Sequence, residues 1–196
     1  MEGLVEDVLD GIRSLCLVEV DIHDLKEGDH IYAFRGVGSY SHHGIYVGNG
    51  SVIHFMDIPP GGGSARKTSS GSARACKSCG FDRDLHGGVV KTCVDCFIKS
   101  RDPLNHCNLY RYRYRVSKWE YHIINGRRNC TTLPSRPSKE VVAKAHELLE
   151  KGFGQYNLIT RNCEDFATYC KTGKAHSGQV VSVFGPVPYT ALKSFN

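Results

Sequence analysis

Arg161-Asn162-Cys163-Glu164-Asp165-Phe166 reads as the start of a helix with a thiol in its first turn. Asn162 can accept hydrogen bonds from the helix's first free N–H groups. Asp165 stands three residues on, where a capping-box partner belongs. Phe166, Ala167, Tyr169 and Cys170 continue an apolar face, and Lys171 followed by Gly173 marks the C-terminus. The positive end of the helix dipole favours thiolate at Cys163. Glu164 and Asp165 work against it, so a nucleophile here needs a histidine base nearby. The alternative is a buried structural cysteine beside an ordinary cap.

Upstream, Ser138 is expected to cap a helix running through Lys151. Val141, Val142, Ala145, Leu148 and Leu149 form its core stripe, and Gly152 ends it. Phe153-Gly154-Gln155-Tyr156-Asn157 links this helix to the one carrying Cys163. Downstream, residues 174–196 have no persistent periodicity, and 175–196 is expected to be a C-terminal arm on the surface.

The base has two sources in one stretch, His42-His43-Gly44-Ile45-Tyr46-Val47-Gly48-Asn49-Gly50-Ser51-Val52-Ile53-His54-Phe55. Two β-rich runs flank Gly-Asn-Gly, a hairpin signal. A two-residue loop would send His42 and His54 to opposite faces. A three-residue loop over 48–50 puts them on one face and His43 on the other, because strand side chains alternate. Solvent-side histidines are the alternative. Before the hairpin, residues 25–29 read as a turn into a strand over 30–34, followed by a loop over 36–41.

Residues 57–75, rich in Pro, Gly, Ser and basic residues, read as a linker opening an insertion. The insertion carries Cys76-x-x-Cys79 and Cys93-x-x-Cys96, with thirteen residues between the pairs. Such spacing suits tetrahedral zinc–thiolate coordination, and a metal would help a stretch this poor in apolar residues to fold. Four reduced cysteines at a strand pair, with 89–98 as the second strand, are the other reading. His86, His106 and Cys107 are spare ligands.

Residues 108–116 alternate tyrosine and arginine, which predicts a strand with one aromatic and one cationic face. A solvated cationic face over buried tyrosines is favoured over nucleic-acid binding. Residues 3–16 place Leu4, Val5, Val8, Leu9, Ile12 and Leu15 on one side of an amphipathic helix with an acidic polar face. That face argues against anionic lipid and for packing on the domain or on a protein partner.

The chain has 196 residues, nine cysteines and a formal charge of +5. Its acidic start does not read as a signal peptide, and no apolar run approaches the ~18–20 residues needed to span a bilayer. A reducing, cytoplasmic setting follows, with cysteines as thiols or metal ligands rather than disulfides.

Three blocks together carry a resemblance: 42–48, 52–55 and 162–167. In this order and spacing the chain resembles the lecithin:retinol acyltransferase (LRAT) domain family, within the permuted NlpC/P60 thiol hydrolases. The stretches 153–173 and 89–97 are similar to its plant-type branch. The resemblance covers roughly 24–174 and implies an α+β, circularly permuted papain-like fold: an antiparallel sheet packed on helices, with a cysteine-bearing insertion over 57–107. It implies Cys163 as nucleophile, His42 as general base and His54 as orienting third residue. The implied reaction is acyl transfer or hydrolysis through a cysteine thioester, with a phospholipid or similar acyl donor, no catalytic cofactor and peripheral action at membranes. An NlpC/P60-type amidase or peptidase, or a non-catalytic zinc-stabilised adaptor, are the alternatives. The animal acyltransferases of the family usually carry a hydrophobic C-terminal anchor, which the tail here lacks. They also lack the cysteine insertion, and the helix of residues 1–23 has no counterpart in the family core.

Overall fold

The computed structural model describes residues 17–35, 40–64, 74–99, 108–124 and 129–175. The helix expected over 3–16, the arm from residue 176 on and the middle of the linker lie outside the described residues, as do His106 and Cys107.

The frame is a seven-stranded sheet in the order β1-β7-β2-β3-β4-β6-β5. The strands are β1 (Val18–Glu19), β2 (His30–Arg35), β3 (Tyr40–Tyr46), β4 (Ser51–Met56), β5 (Gly63–Ser64), β6 (His86–Cys93) and β7 (Leu109–Arg111). All neighbours pair antiparallel except β5, which runs parallel to β6. The helices described are α1 (Val94–Ile98), α2 (Lys118–Ile124), α3 (Ser138–Lys151) and α4 (Cys163–Thr172). The architecture is α+β, an antiparallel sheet packed on helices.

The two faces of the sheet are covered by different elements. Ile45, Ile53, Phe55 and Val89 pack against Val141, Ala145 and Leu148 of α3 and Phe166, Ala167 and Cys170 of α4. On the opposite face Ile31, Val52 and Leu109 pack with Val20 and with Val94 and Phe97 of α1. Burying each of the Val, Ile, Leu and Phe side chains contributes about 1.5–3 kcal/mol. A one-residue slip in β3 would exchange the two faces, so this double burial fixes the register.

The hairpin has the three-residue loop. Val47 and Ser51 close it, with Val47 N–H donating to Ser51 O at 2.9 Å and Ser51 N–H to Gly48 O at 3.0 Å. Asn49 and Gly50 both have positive φ, 50° and 64°. His42 and His54 therefore share the α1 face, while His43 points to the α4 face. None of the three is a solvent-side residue: His43 and His54 are 1% and 2% exposed, and His42 is partly buried.

Several expectations are corrected. Cys93 ends β6, and residues 94–98 turn into α1 instead of extending the strand to Ile98, because the chain must fold back to bring Cys96 beside Cys79. The Tyr/Arg strand stops at Arg111. Beyond it Arg113 makes an isolated parallel bridge to Cys130, and Arg115 adopts φ 56°. Its arginines are engaged, Arg111 with Asp29 at 3.0 Å and Arg113 with Glu120 at 2.8 Å, and Tyr112 is buried at 4% exposed. Pro137, not Ser138, caps α3, with no side-chain hydrogen bond. Strand β3 begins at Tyr40, inside the expected loop. Part of the linker is tied down: Gly62 N–H donates to Pro59 O, and β5 pairs with His86 and Gly87. Short elements β1 and α2 carry too little periodicity to be read from sequence.

Candidate active site

The thiol comes first. Asn162 caps α4 as expected: its side chain accepts from Glu164 N–H (2.9 Å) and Asp165 N–H (3.1 Å), and Asp165 returns a bond from Asn162 N–H (3.0 Å). Gly173 ends the helix in the left-handed conformation. The capped end holds Cys163 against β3, at 1% exposure.

The strand offers a gap at that point. Tyr46 N–H donates to Asp29 O and Tyr46 O accepts from Gly28 N–H, so even-numbered peptides of β3 point toward β2. Odd-numbered ones point toward β4. The β3–β4 ladder ends at Gly44↔His54, whereas the β2–β3 ladder continues to Arg35↔Tyr40. Ser41 O and His43 N–H therefore face a notch where β4 has separated. Cys163 occupies it: its thiol donates to Ser41 O at 3.7 Å, and the His43 N–H is directed at the sulfur.

The histidine pair spans the same notch from the other face. His42 Nε2 lies 2.9 Å from His54 Nδ1, and His54 Nε2 lies 3.1 Å from Thr92 Oγ1. The rings meet edge-on and both contact Phe97. Thus the two expected histidines are brought together. Among the described residues no hydrogen bond joins the sulfur to the His42 ring.

Burial dominates the proton equilibria. It pushes the Cys163 thiol up to about 11; the His43 N–H pulls it back and the Glu164 charge raises it further. Burial holds His54 down at about 3, helped by the Arg83 and Arg35 charges, and holds His42 well below its usual range, helped by His54 and the same arginines. At neutral pH the resting site is a neutral thiol beside neutral imidazoles.

Two groups were missed in the sequence. Tyr156, in what read as a mere link, lies close enough to Cys163 for its hydroxyl to be perturbed by the thiol; burial first, then Cys163, raises its pKa. His43 joins a separate buried chain on the α4 face, with Ser41 Oγ at 2.6 Å, His30 Nε2 at 2.9 Å, and Tyr114 bonded to His30 at 2.8 Å. The repeated histidine in 42–43 was the available signal. A cleft of about 380 Å³ is lined by Arg35, Tyr40 and Met56 of the sheet and by Asp57, Ile58, Pro59, Pro60 and Arg83 of the insertion; Cys163, His42, His54 and Tyr156 are not among its lining.

The four insertion cysteines converge. Their sulfurs all lie within 4.8 Å of one another, with Cys76–Cys93 at 3.9 Å and Cys79–Cys96 at 3.7 Å. A tetrahedron of thiolates at ~2.3 Å from one ion has edges of ~3.8 Å, so the cluster could hold a metal ion. The first pair forms a knuckle, Gly80 N–H donating to Cys76 O and Cys76 N–H to Phe81 O. Backbone N–H groups of Cys79 and Ser78 bring Cys76 down to about 6.

No helix among the described residues is long and apolar enough to cross a membrane. Protein LEAD-SENSITIVE 1 of Arabidopsis thaliana is 37% identical over 182 residues, covering 85% of this chain and 68% of that protein. Human phospholipase A and acyltransferase 4 is 28% identical over 155 residues, 79% of this chain and 74% of that one. The lecithin retinol acyltransferase family model matches residues 23–176, the span that contains the notch, both histidines and the cysteine cluster, and the chain belongs to that family.

Proposed function

We propose that the protein is a cysteine acyltransferase or phospholipase-like acyl hydrolase that works through a thioester on Cys163. The observation that carries this is the notch: a thiol at a helix N-terminus enters it from one face, and a hydrogen-bonded histidine pair spans it from the other. Nucleophilic catalysis needs a thiol, a base and a group that orients the base. In this reading Cys163 attacks the ester carbonyl of a phospholipid and passes its proton to His42. His42 returns the proton to the departing alcohol. His54 orients His42 and steadies its charge. The Cys163 N–H, in the first turn of the helix, and the Tyr156 hydroxyl are the candidate donors to the oxyanion. Water resolving the thioester gives hydrolysis; an amine or alcohol gives transfer.

The family and the human relative's name support a phospholipid donor; peripheral action at a membrane from a reducing compartment belongs to the same proposal. The layout is read as the permuted NlpC/P60 form of the papain-like fold. Thiolate chemistry and the sulfur spacing favour zinc at Cys76, Cys79, Cys93 and Cys96.

Incubation with phosphatidylcholine vesicles and quenching at acid pH should add one acyl mass to Cys163 in the intact protein. Cys163→Ala should abolish it and His42→Ala should slow it at least a hundredfold. Absence of any acyl adduct with phospholipid or with short activated esters would refute the reading. A second reading comes from the cleft, which mixes Arg35, Asp57 and Arg83 with apolar residues. It suits a polar amide, and release of amine from dipeptide substrates in the same assay would favour an amidase.

A further inference from the structure

The histidine pair leans on the cysteine cluster. Three groups contact the two rings on the α1 face: Thr92 Oγ1 at 3.1 Å from His54 Nε2, the Phe97 ring at 5.1 Å from His42 and 5.3 Å from His54, and the Phe81 ring at 6.3 Å from His54. Each adjoins a cysteine of the cluster. Thr92 directly precedes Cys93, Phe97 directly follows Cys96, and Phe81 is two residues past Cys79, closing the knuckle through its carbonyl to Cys76 N–H.

Thr92 is also held by the β4–β6 ladder, opposite Val52, and Phe97 by the core of the α1 face. The short elements that carry Phe97 and Phe81 nevertheless have few supports of their own. Helix α1 has five residues, far below the ~12–15 at which an isolated helix holds itself. Cys93 is its N-cap and gives no side-chain cap bond. Its C-terminal carbonyls are clasped by two arginines: Arg35 reaches those of Phe97 and Ile98, and Arg83 those of Cys96 (3.2 Å) and Lys99 (2.8 Å). Arg83 itself belongs to the segment between the two cysteine pairs. In residues 74–85, Phe81 is the one buried apolar side chain. That segment therefore has no core of its own, and its placement depends on what joins the four sulfurs.

We propose that one thiolate-preferring divalent cation, bound by Cys76, Cys79, Cys93 and Cys96, is a positioning element for His42 and His54. The ion ties the end of β6 after Thr92, the helix carrying Phe97 and the knuckle carrying Phe81 to one another, and these three side chains hold the two imidazoles in their hydrogen-bonded orientation. The histidines on the opposite face, His30 and His43, contact Tyr32, Tyr112 and Tyr114 instead and do not depend on the ion. The inference rests on the reading of His42 as base only for its consequence for activity; the positional claim stands separately.

The test uses the full chain, reduced, with histidine labelled in the ring nitrogens. Metal content is measured first, and one ion per chain is expected. Imidazole nitrogen spectra are then recorded at pH 8 before chelation, after chelation under reducing conditions, and after adding zinc or cadmium alone. Removal should shift or broaden the His42 and His54 resonances, leave those of His30 and His43 in place, and be reversed by either cation. Cys79→Ser should reproduce the metal-free spectrum. If no ion binds, or if His42 and His54 do not respond, the proposal falls. If all four histidines collapse together with the far-UV circular dichroism, the ion is a staple of the whole fold and the specific role falls too. Acylation of Cys163 should slow about ten- to a hundredfold on chelation, as for lost supporting contacts at other sites. Selective histidine shifts with no acylation under any condition would leave the positional claim and remove the enzymatic reading.

Discussion

His42 and His54 share a hydrogen bond of 2.9 Å between Nε2 of the first and Nδ1 of the second. His54 then meets Thr92 Oγ1 through its remaining nitrogen. The chain has two proton arrangements. In one, Thr92 accepts from His54 Nε2–H and His54 Nδ1 accepts from His42 Nε2–H, which leaves a lone pair on His42 Nδ1. In the other all bonds reverse and His42 Nδ1 carries a proton. Only the first supplies a base, and it requires the Thr92 hydroxyl, which can donate or accept, to accept from His54.

Replacing Thr92 by valine keeps the shape and removes the acceptor. Thr92 is 1% exposed, so His54 Nε2–H would be left without its partner, at about 1–3 kcal/mol of stability. Denaturant unfolding should register that loss. Acylation of Cys163 by an activated ester should fall at least tenfold, and Thr92→Ser should recover most of it. Equal rates for the valine and serine variants would show that the hydroxyl does not set the tautomer.

Cys163 reactivity should rise steeply with pH. Burial, the largest influence, puts its thiol near 11, so only about one molecule in ten thousand carries thiolate at pH 7. With the pKa raised, the reactive form gains about tenfold per pH unit between 7 and 10. Methyl methanethiosulfonate labelling, followed by peptide mass spectrometry, checks this. A flat profile between pH 5 and 8 would instead reveal a stored thiolate–imidazolium pair.

Gly44 lies on the histidine face of β3. A Cβ there would meet Val52 Cγ1 at 2.7 Å, Phe97 Cε2 at 2.9 Å and His54 Cβ at 3.1 Å. Gly44→Ala should cost about 1–3 kcal/mol through overpacking. Because two of the three obstructing groups touch or belong to the histidine pair, acylation should fall by more than stability alone explains. A variant of normal activity and lowered melting temperature would mean that the pair tolerates displacement.

Acid should unfold the protein through its buried histidines. His43 and His54 are held at about 3, against an ordinary 6.5, chiefly by burial. Their depressed pKa means that the unfolded chain takes up protons first, so stability is full above about 6.5 and declines as pH falls toward 3. Between pH 7 and 5 each should cost about 2 kcal/mol. Asp165, raised to about 6 by burial, acts oppositely and should restore about 1 kcal/mol over the same range. Melting temperature should therefore drop from pH 7 to 5, and His43→Gln should flatten the slope. A melting temperature independent of pH in this range would contradict the burial argument.

Much of the site was legible because its determinants are local. The Asn162–Asp165 capping box and the helix end at Gly173 follow from a few adjacent residues and appear as read, and of the two loop lengths open to the hairpin the three-residue one over 48–50 is found. The sharing of one face by His42 and His54 follows from loop length and alternation alone. The notch at Ser41 and His43 was not legible, since it depends on where two ladders of the same strand end. Tyr156 was not legible for the same kind of reason: its proximity to Cys163 comes from the turn between α3 and α4. The short strand β7 was overread because alternation continues past the point where its backbone pairing stops.

The far end of α4 sets what can move. Lys171 is 9% exposed, extends Nζ to Gly28 O at 2.9 Å and lies 5.1 Å over the Tyr114 ring, and its own carbonyl accepts from Arg136 N–H at 2.7 Å. The helix is thus anchored at its last turn to the entry of β2 and at its first turn by a reciprocal cap. It cannot slide along the sheet to carry the sulfur toward an arriving molecule. Access to Cys163 must come from displacement of its neighbours, the end of β3 at Ser41 and the segment carrying Tyr156. The thiol is then the fixed point, and opening is a motion of what surrounds it.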